Sequence, residues 1–133
     1  MKQKTCAEES GELRADAPVI SAVDDESAFA SLAASLAEIR KLKGVSGYIL
    51  RSNSSAIIDI TEQEKIIDYA ILSSQIAESS AEMAKQFNMA GVESALVEGK
   101  TQKVLCMAVG ENRIGVFMDK TATHAWIIKR ILL

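Results

Sequence analysis

The side chains most able to carry out chemistry are few and far apart in this chain. Cys106 belongs to an apolar run, and His124, the only histidine, precedes the last apolar segment. A nucleophilic cysteine needs a base at hydrogen-bonding distance, and nothing in the pattern brings these two residues together. We therefore interpret Cys106 as a core thiol that packs as a small hydrophobic side chain, and His124 as an exposed residue in the first turn of a helix.

Two carboxylates and one indole are the next candidates. Asp59 and Asp119 could act as a general acid and a general base. Each follows a strand-like segment and precedes a helix-like one, a position where a carboxylate serves the helix terminus and its dipole. Trp126 lies on an otherwise apolar segment, one turn before Lys129 and Arg130, and we interpret it as a core residue rather than a ligand platform. We expect no catalytic residue.

Cofactor sites are not expected either. One histidine and two cysteines, Cys6 and Cys106, are too few ligands for a His/Cys metal site. They also give no reason to predict a structural disulfide. The glycines are spread over separate turns and strands, and the sequence has no Gly-x-x-x-x-Gly-Lys-Ser/Thr motif for phosphates. We predict no metal, nucleotide or other cofactor.

Composition sets the class of protein. The chain has 133 residues, of which 48% are hydrophobic and 25% charged, with a net charge of −3. These values are typical of one soluble domain and provide no general attraction to nucleic acid. No apolar run reaches the roughly 18 residues of a membrane span, and the N-terminus lacks the apolar middle of a secretory signal. We expect a cytoplasmic protein.

The chain divides into a predicted flexible tail, residues 1–23, and a domain, residues 24–133. Apolar residues recur at spacings of three and four from Phe29 through Leu32 and Leu36 to Ile39, which predicts a first helix. Gly44 follows it as the expected left-handed residue. The candidates for the N-terminal cap of this helix are Asp24, Asp25 and Ser27.

A hairpin and a long helix follow. Val45–Arg51 and Ala56–Ile60 are rich in β-branched residues and are separated by serine and asparagine, which favour a turn. Thr61-x-x-Glu64 has the pattern of a capping box, and the helical pattern then continues to Phe87. Three further strands are predicted over 92–98, 103–109 and 113–118, and a closing helix over 125–133. This order predicts an α+β fold with a five-stranded antiparallel sheet packed with helices.

The long helix carries two adjacent apolar seams. The bulky seam comprises Ile66, Tyr69, Ser73, Ile76, Ser80, Met83 and Phe87, and the small seam comprises Ile67, Ala70, Ser74, Ala77, Ala81 and Ala84. The small seam could let the helix lie close to its own sheet, or it could pack on the same helix of a second subunit. We favour the second interpretation, with strand 92–98 as the free edge that pairs with its twin. The predicted dimer interface is therefore Ile67, Ala70, Ser74, Ala77, Ala81, Ala84, Val92, Ser94 and Leu96.

This pattern resembles a known family. The run Val45-Ser46-Gly47-Tyr48-Ile49-Leu50, the long helix from Thr61 and the strand–turn–strand–turn–strand–helix pattern over 92–131 resemble the Roadblock/dynein light-chain domain, over residues 27–133. The resemblance implies a profilin-like α-β-β-α-β-β-β-α fold. It also implies a homodimer, or a dimer with a related Roadblock-type protein, built from the long helix and the strand after it. Finally, it implies a regulatory or scaffolding role toward nucleotide-driven partners, which in prokaryotes are typically small Ras-like GTPases.

Three functions remain open from the sequence. The first is a non-catalytic dimeric regulator or scaffold that binds a small Ras-like GTPase or another NTPase; Arg51 and Arg113 lie at strand ends or turns and are expected to be solvated rather than inserted into a partner. The second is an interaction module of a larger assembly without effect on nucleotide turnover. An enzyme or small-molecule sensor on a profilin-like or PAS-like sheet is the third, and it is weaker because no polar cluster converges in the pattern.

Overall fold

The computed structural model describes the backbone of residues 16–132 and the side chains of residues 26–132. In chain order the elements are helix α1 (Asp16–Arg40), strands β1 (Val45–Arg51) and β2 (Ala56–Ile60), a 3-10 turn (Gln63–Lys65), helix α2 (Ile66–Gln86), strands β3 (Ser94–Glu98), β4 (Gln102–Val109) and β5 (Asn112–Asp119), and helix α3 (His124–Leu132). The predicted fold class and element order are confirmed. None of the helices within residues 16–132 has the length and apolarity needed to cross a bilayer.

Helix α1 begins earlier than predicted. Its first residue is Asp16, so the part of the predicted tail over 16–23 is helical, while residues 1–15 lie outside the described part of the chain. The chain divides after Ser31 into two units, and the features below belong to the unit that begins at Leu32. Gly44 has a φ of 94°, so the predicted left-handed residue after the helix is confirmed.

The sheet is antiparallel throughout, with the strand order β2-β1-β5-β4-β3. β2 and β3 are therefore the two edge strands, and β1, β5 and β4 are central. Gly47 in β1 is required by close packing, because a Cβ atom there would lie 2.5 Å from the carbonyl oxygen of Asp59. Side chains alternate between the two faces of each strand, and Ile49, Phe117, Val104 and Cys106 share the face that carries α2.

The predicted capping box of the long helix does not form. The Thr61 amide and hydroxyl both donate to the carbonyl oxygen of Ser46, each at 3.0 Å, and the same hydroxyl accepts a hydrogen bond from Arg40. Thr61 thus continues the β1–β2 hairpin rather than capping a helix. Helix α2 begins only at Ile66, after the 3-10 turn, and its N-cap residue Lys65 makes no side-chain cap bond.

Helix α3 corrects the interpretation of Trp126. The buried positions of this helix are Ile127 and Ile131, four residues apart. Trp126 is rotated by about 100° from Ile127 and is 46% exposed, with the Arg130 guanidinium 5.9 Å from the ring centroid. The apolar segment has more large side chains than its buried side accommodates, so the prediction that Trp126 lies in the core is wrong.

Candidate interaction surface and adjoining cavity

The predicted core thiol is confirmed. Cys106 is buried on β4, and its Sγ donates a weak hydrogen bond to the carbonyl oxygen of Ser73 at 3.7 Å. Burial raises the pKa of this thiol to about 11, which keeps it protonated and a poor nucleophile at neutral pH. His124 contacts Lys103, three positions before Cys106 on the same strand. Side chains three positions apart on a strand point to opposite faces, so no thiol–imidazole pair forms.

His124 is half-buried rather than exposed as predicted. The Lys103 ammonium, whose residue is only 5% exposed, donates to the carbonyl oxygen of Ala122 at 2.6 Å and lies 3.2 Å from His124 Nδ1. The imidazole nitrogen can accept from the ammonium, which fixes the start of α3 against β4. Lys103 is therefore a buried charge at the start of the otherwise apolar segment 103–109.

The two candidate acid–base carboxylates do not meet. Asp59 on β2 lies 3.3 Å from Arg40 Nε. Asp119, at the end of β5, accepts hydrogen bonds from the hydroxyl and the amide of Thr121, which hold the pKa of its carboxyl below the usual value. Strand β1 separates β2 from β5 in the sheet. Among the described residues, no group of three or more His, Cys, Asp or Glu side chains could hold a metal ion.

Helix α2 covers the sheet with only part of the predicted bulky seam. Tyr69 and Ile76 are buried, and the Tyr69 ring stacks on Phe117 with centroids 4.5 Å apart. Met83 and Phe87 are exposed instead, Phe87 to 74%. Ala84 occupies the buried position near the C-terminal end of the helix. Met83 and Phe87 therefore belong to the bulky seam by their spacing but do not face the sheet.

The predicted interface residues on α2 fall into three groups. Ala84 is buried by its own chain, and Ala70 packs against its own core. Ala77 and Ala81 line a cavity described below. Ser74 is half-buried, and Ile67 is 72% exposed.

The seam analysis missed two outward apolar residues of α2, Ile71, which is 52% exposed, and Leu72, which is 37% exposed. Ile71 is the more exposed of the two. Its spacing of four from Ile67 was the available signal, since residues four apart lie on one side of a helix. Together these two isoleucines form what we call the outer patch of α2.

The predicted interface residues after α2 lie around the β3 edge. Val92 precedes the strand, is half-buried and lines the same cavity as Ala77 and Ala81. Ser94 is exposed and Leu96 is half-buried on β3 itself. Because β3 pairs with β4 on one side and ends the sheet on the other, its outer backbone groups can accept another strand.

A cavity of about 190 Å³ lies between the C-terminal half of α2 and the sheet. Arg51 and Arg113 are direct partners in the β1–β5 register, and both are exposed, as predicted. The cavity is lined by Ile49, Arg51, Ser73, Ala77, Ser80, Ala81, Val92, Glu93, Ala95, Cys106, Met107, Ala108, Arg113, Ile114 and Gly115. The sequence pattern does not indicate that these residues line one cavity, because their proximity depends on the pairing of strands far apart in the chain.

A family model described as the Roadblock/LC7 domain matches residues 31–116. The solved structures that resemble this chain include a Roadblock/LC7 domain from Streptomyces avermitilis, with 11% identity, 78% of this chain and 88% of the other covered, and a TM-score of 0.62. Myxococcus xanthus MglB has 18% identity, coverage of 77% and 80%, and a TM-score of 0.62. The gliding protein MglB from Thermus thermophilus has 14% identity, coverage of 77% and 82%, and a TM-score of 0.61. No curated protein matches this chain.

Proposed function

We propose, from the premise that this chain belongs to the Roadblock/LC7 domain family, that it is a dimeric regulator or scaffold without catalytic activity of its own. In this proposal the partner is a small Ras-like GTPase or another NTPase. Family membership confirms the resemblance drawn from the sequence and supports the regulatory role. The dimer and the identity of the partner are the parts that we propose.

The observation that carries the proposed dimer is the coexistence of the outer patch of α2 with an unpaired edge strand. Ile67 and Ile71 expose large aliphatic side chains, and α2 packs on the sheet over β3 and β4. Joining two β3 edges would satisfy the free backbone groups and bring the two α2 helices together on one continuous sheet. Within the predicted interface we retain Ile67, Ser74, Ser94 and Leu96, together with Ala77, Ala81 and Val92 at its margin, and add Ile71. Ala70 and Ala84 are already covered by their own subunit.

The sizing experiment compares Ile67→Glu with Lys129→Glu. A glutamate in the outer patch would place a desolvated charge between two helices, so we expect Ile67→Glu to dissociate at protein concentrations where the unmodified chain is dimeric. Lys129 is exposed on α3, and Lys129→Glu introduces the same residue outside the proposed interface. Sedimentation velocity measures both. An Ile67→Glu variant that sediments as the parent dimer contradicts the interface.

The proposed partner is tested by a pull-down from the host followed by a nucleotide assay. We expect the unmodified protein to capture a small GTPase and to change its rate of GTP hydrolysis by biasing its nucleotide-binding segments. Clear binding with an unchanged rate would identify the chain as an interaction module without effect on turnover. Failure of any GTPase or other NTPase to bind the dimer would contradict the proposal.

A further inference from the structure

We propose that the cavity beneath the C-terminal half of α2 binds a small monocarboxylate with a compact apolar body. This inference goes beyond the proposed regulatory function and does not depend on it. It rests on three features of the described residues: the small side chains that leave the cavity open, the paired arginines at its end, and the apolar character of the remaining wall.

Small residues on two facing elements create the space. On α2, Ser73, Ala77, Ser80 and Ala81 form one wall, and Gly115 lies on the facing strand β5. A Cβ atom at Gly115 would lie 3.2 Å from that of Ser73, so helix and sheet are close at one end and diverge beyond it. Several lining residues, including Ala81 and both arginines, are exposed, so the space opens to solvent. A ligand of matching size would remove the apolar part of its wall from water.

The hydroxyl groups in the wall do not call for a polar ligand. Ser73 Oγ donates to the carbonyl oxygen of Ala70, and Ser80 Oγ donates to that of Ala77, each at 3.1 Å. Both hydroxyl protons are thereby used within the helix. A cavity of 150 Å³ lined by aliphatic residues accommodates benzene, so a space of about 190 Å³ suits a body of about that size.

The arginines supply the recognition of an anion. Arg51 and Arg113 are opposite one another in the β1–β5 ladder, and like charges in that position destabilise a sheet unless an anion lies between them. Arg113 donates to the carbonyl oxygens of Gly110 and Asn112 through one of its nitrogens. Among the hydrogen bonds formed by described side chains, none comes from Arg51. Guanidinium groups bind carboxylates through paired hydrogen bonds.

The charge around the cavity indicates a monoanion. Glu93 also lines it, so one carboxylate opposes two guanidinium groups and the site carries one uncompensated positive charge. One negative charge on the ligand would neutralise this excess, and a second would be left uncompensated. A ligand with one carboxylate at the arginines and an aromatic or branched aliphatic body against Ala77 and Ala81 matches this arrangement.

The test uses 4-fluorobenzoate as the probe, observed by fluorine NMR on the full chain, with benzylamine as a cation of similar size in competition. We expect saturable binding of 4-fluorobenzoate that benzylamine does not displace. The double variant Arg51→Gln/Arg113→Gln should weaken binding about tenfold or more, because charge-assisted hydrogen bonds are lost. Arg130→Gln, which removes an exposed arginine from α3, is the matched control and should bind as the parent does.

A second set of variants tests the proposal by filling the cavity with a larger side chain. Ala77→Leu should abolish binding of 4-fluorobenzoate, and Ala81→Leu serves the same purpose if the first variant does not fold. Absence of saturable binding, displacement by benzylamine, or full binding by the arginine double variant would overturn the proposal. If Ala77→Leu weakens self-association and leaves binding of the probe unchanged, the cavity belongs to the contact between copies of this chain, and the proposal is wrong.

Discussion

The two halves of α2 lie over the same sheet and are packed in opposite ways. Under the N-terminal half, Tyr69 stacks on Phe117 and the space between helix and sheet is filled by large buried side chains. Under the C-terminal half, alanine and serine face glycine and alanine, and a cavity remains. The spacing of apolar residues can thus predict correctly that a helix packs on the sheet. It does not ensure that side chains fill the space between helix and sheet along the whole length of the helix. The large side chains that fill the space between helix and sheet lie under the N-terminal half, and the cavity in which we propose that a ligand binds lies under the C-terminal half.

The largest effect on stability is expected from a substitution in the filled, N-terminal half. Phe117→Ala removes the stacked ring beneath Tyr69 and leaves a cavity in the core, so we expect the free energy of unfolding to fall by about 3–5 kcal/mol. Urea denaturation followed by circular dichroism measures this change. A loss of less than half that size would show that the N-terminal half is less tightly packed than its geometry indicates.

Cys106 lies at the boundary between the two halves and provides a pH test. Burial raises the pKa of its thiol from 9.0 to about 11, so the folded state retains a proton that the unfolded state releases earlier. The corresponding stability is complete below pH 9 and is lost as the pH rises toward 11. The free energy of unfolding should therefore decline more steeply over this interval in the parent than in Cys106→Ala. If the free energy of unfolding declined equally in the parent and in Cys106→Ala, the thiol would be exposed to water rather than buried.

The smallest effects on stability are expected when alanine is replaced by leucine in each half of α2. Ala77→Leu adds three carbons to a wall of the cavity and should raise the free energy of unfolding by an amount on the order of 1 kcal/mol. Ala70→Leu makes the same change where the alanine packs against a filled core, and overpacking there should lower it by about 1–3 kcal/mol. Thermal unfolding of the two variants compares the signs directly. If both variants changed the free energy of unfolding in the same direction, the two halves of α2 would not differ in packing as described.

The sheet and its strand boundaries were largely predictable from local chemistry. The bounds of β1 and β2 agree with the sequence prediction, because β-branched runs and a serine-rich turn determine a hairpin without help from distant residues. The capping box failed for the opposite reason. Thr61 has the right spacing to Glu64, yet it bonds to Ser46 and Arg40, and sequence spacing alone does not reveal such competition.

The candidate sites were less predictable because they depend on register and rotation. Arg51 and Arg113 become neighbours only when β1 pairs with β5, and neither has a local signal for that pairing. Trp126 and Ile127 are adjacent and both apolar, and only the rotation of α3 decides which is buried. Ala84, which was predicted to lie in the dimer interface, is covered by its own chain for a similar reason, since a shift of one position on the helix turns a side chain by about 100°.

The unequal edges of the sheet have a consequence for how far assembly can proceed. A sheet with two open edges could add strands without limit and grow into a fibre. Both edge strands have five residues. β2 carries a paired charge within the strand, Asp59 with Arg40, whereas the ion pair of β3 involves its last residue, Glu98. A charged residue within an edge strand discourages further strand addition. Assembly through β3 would then stop at the dimer. The protein could therefore present one edge strand for pairing and still avoid aggregation in a crowded cell.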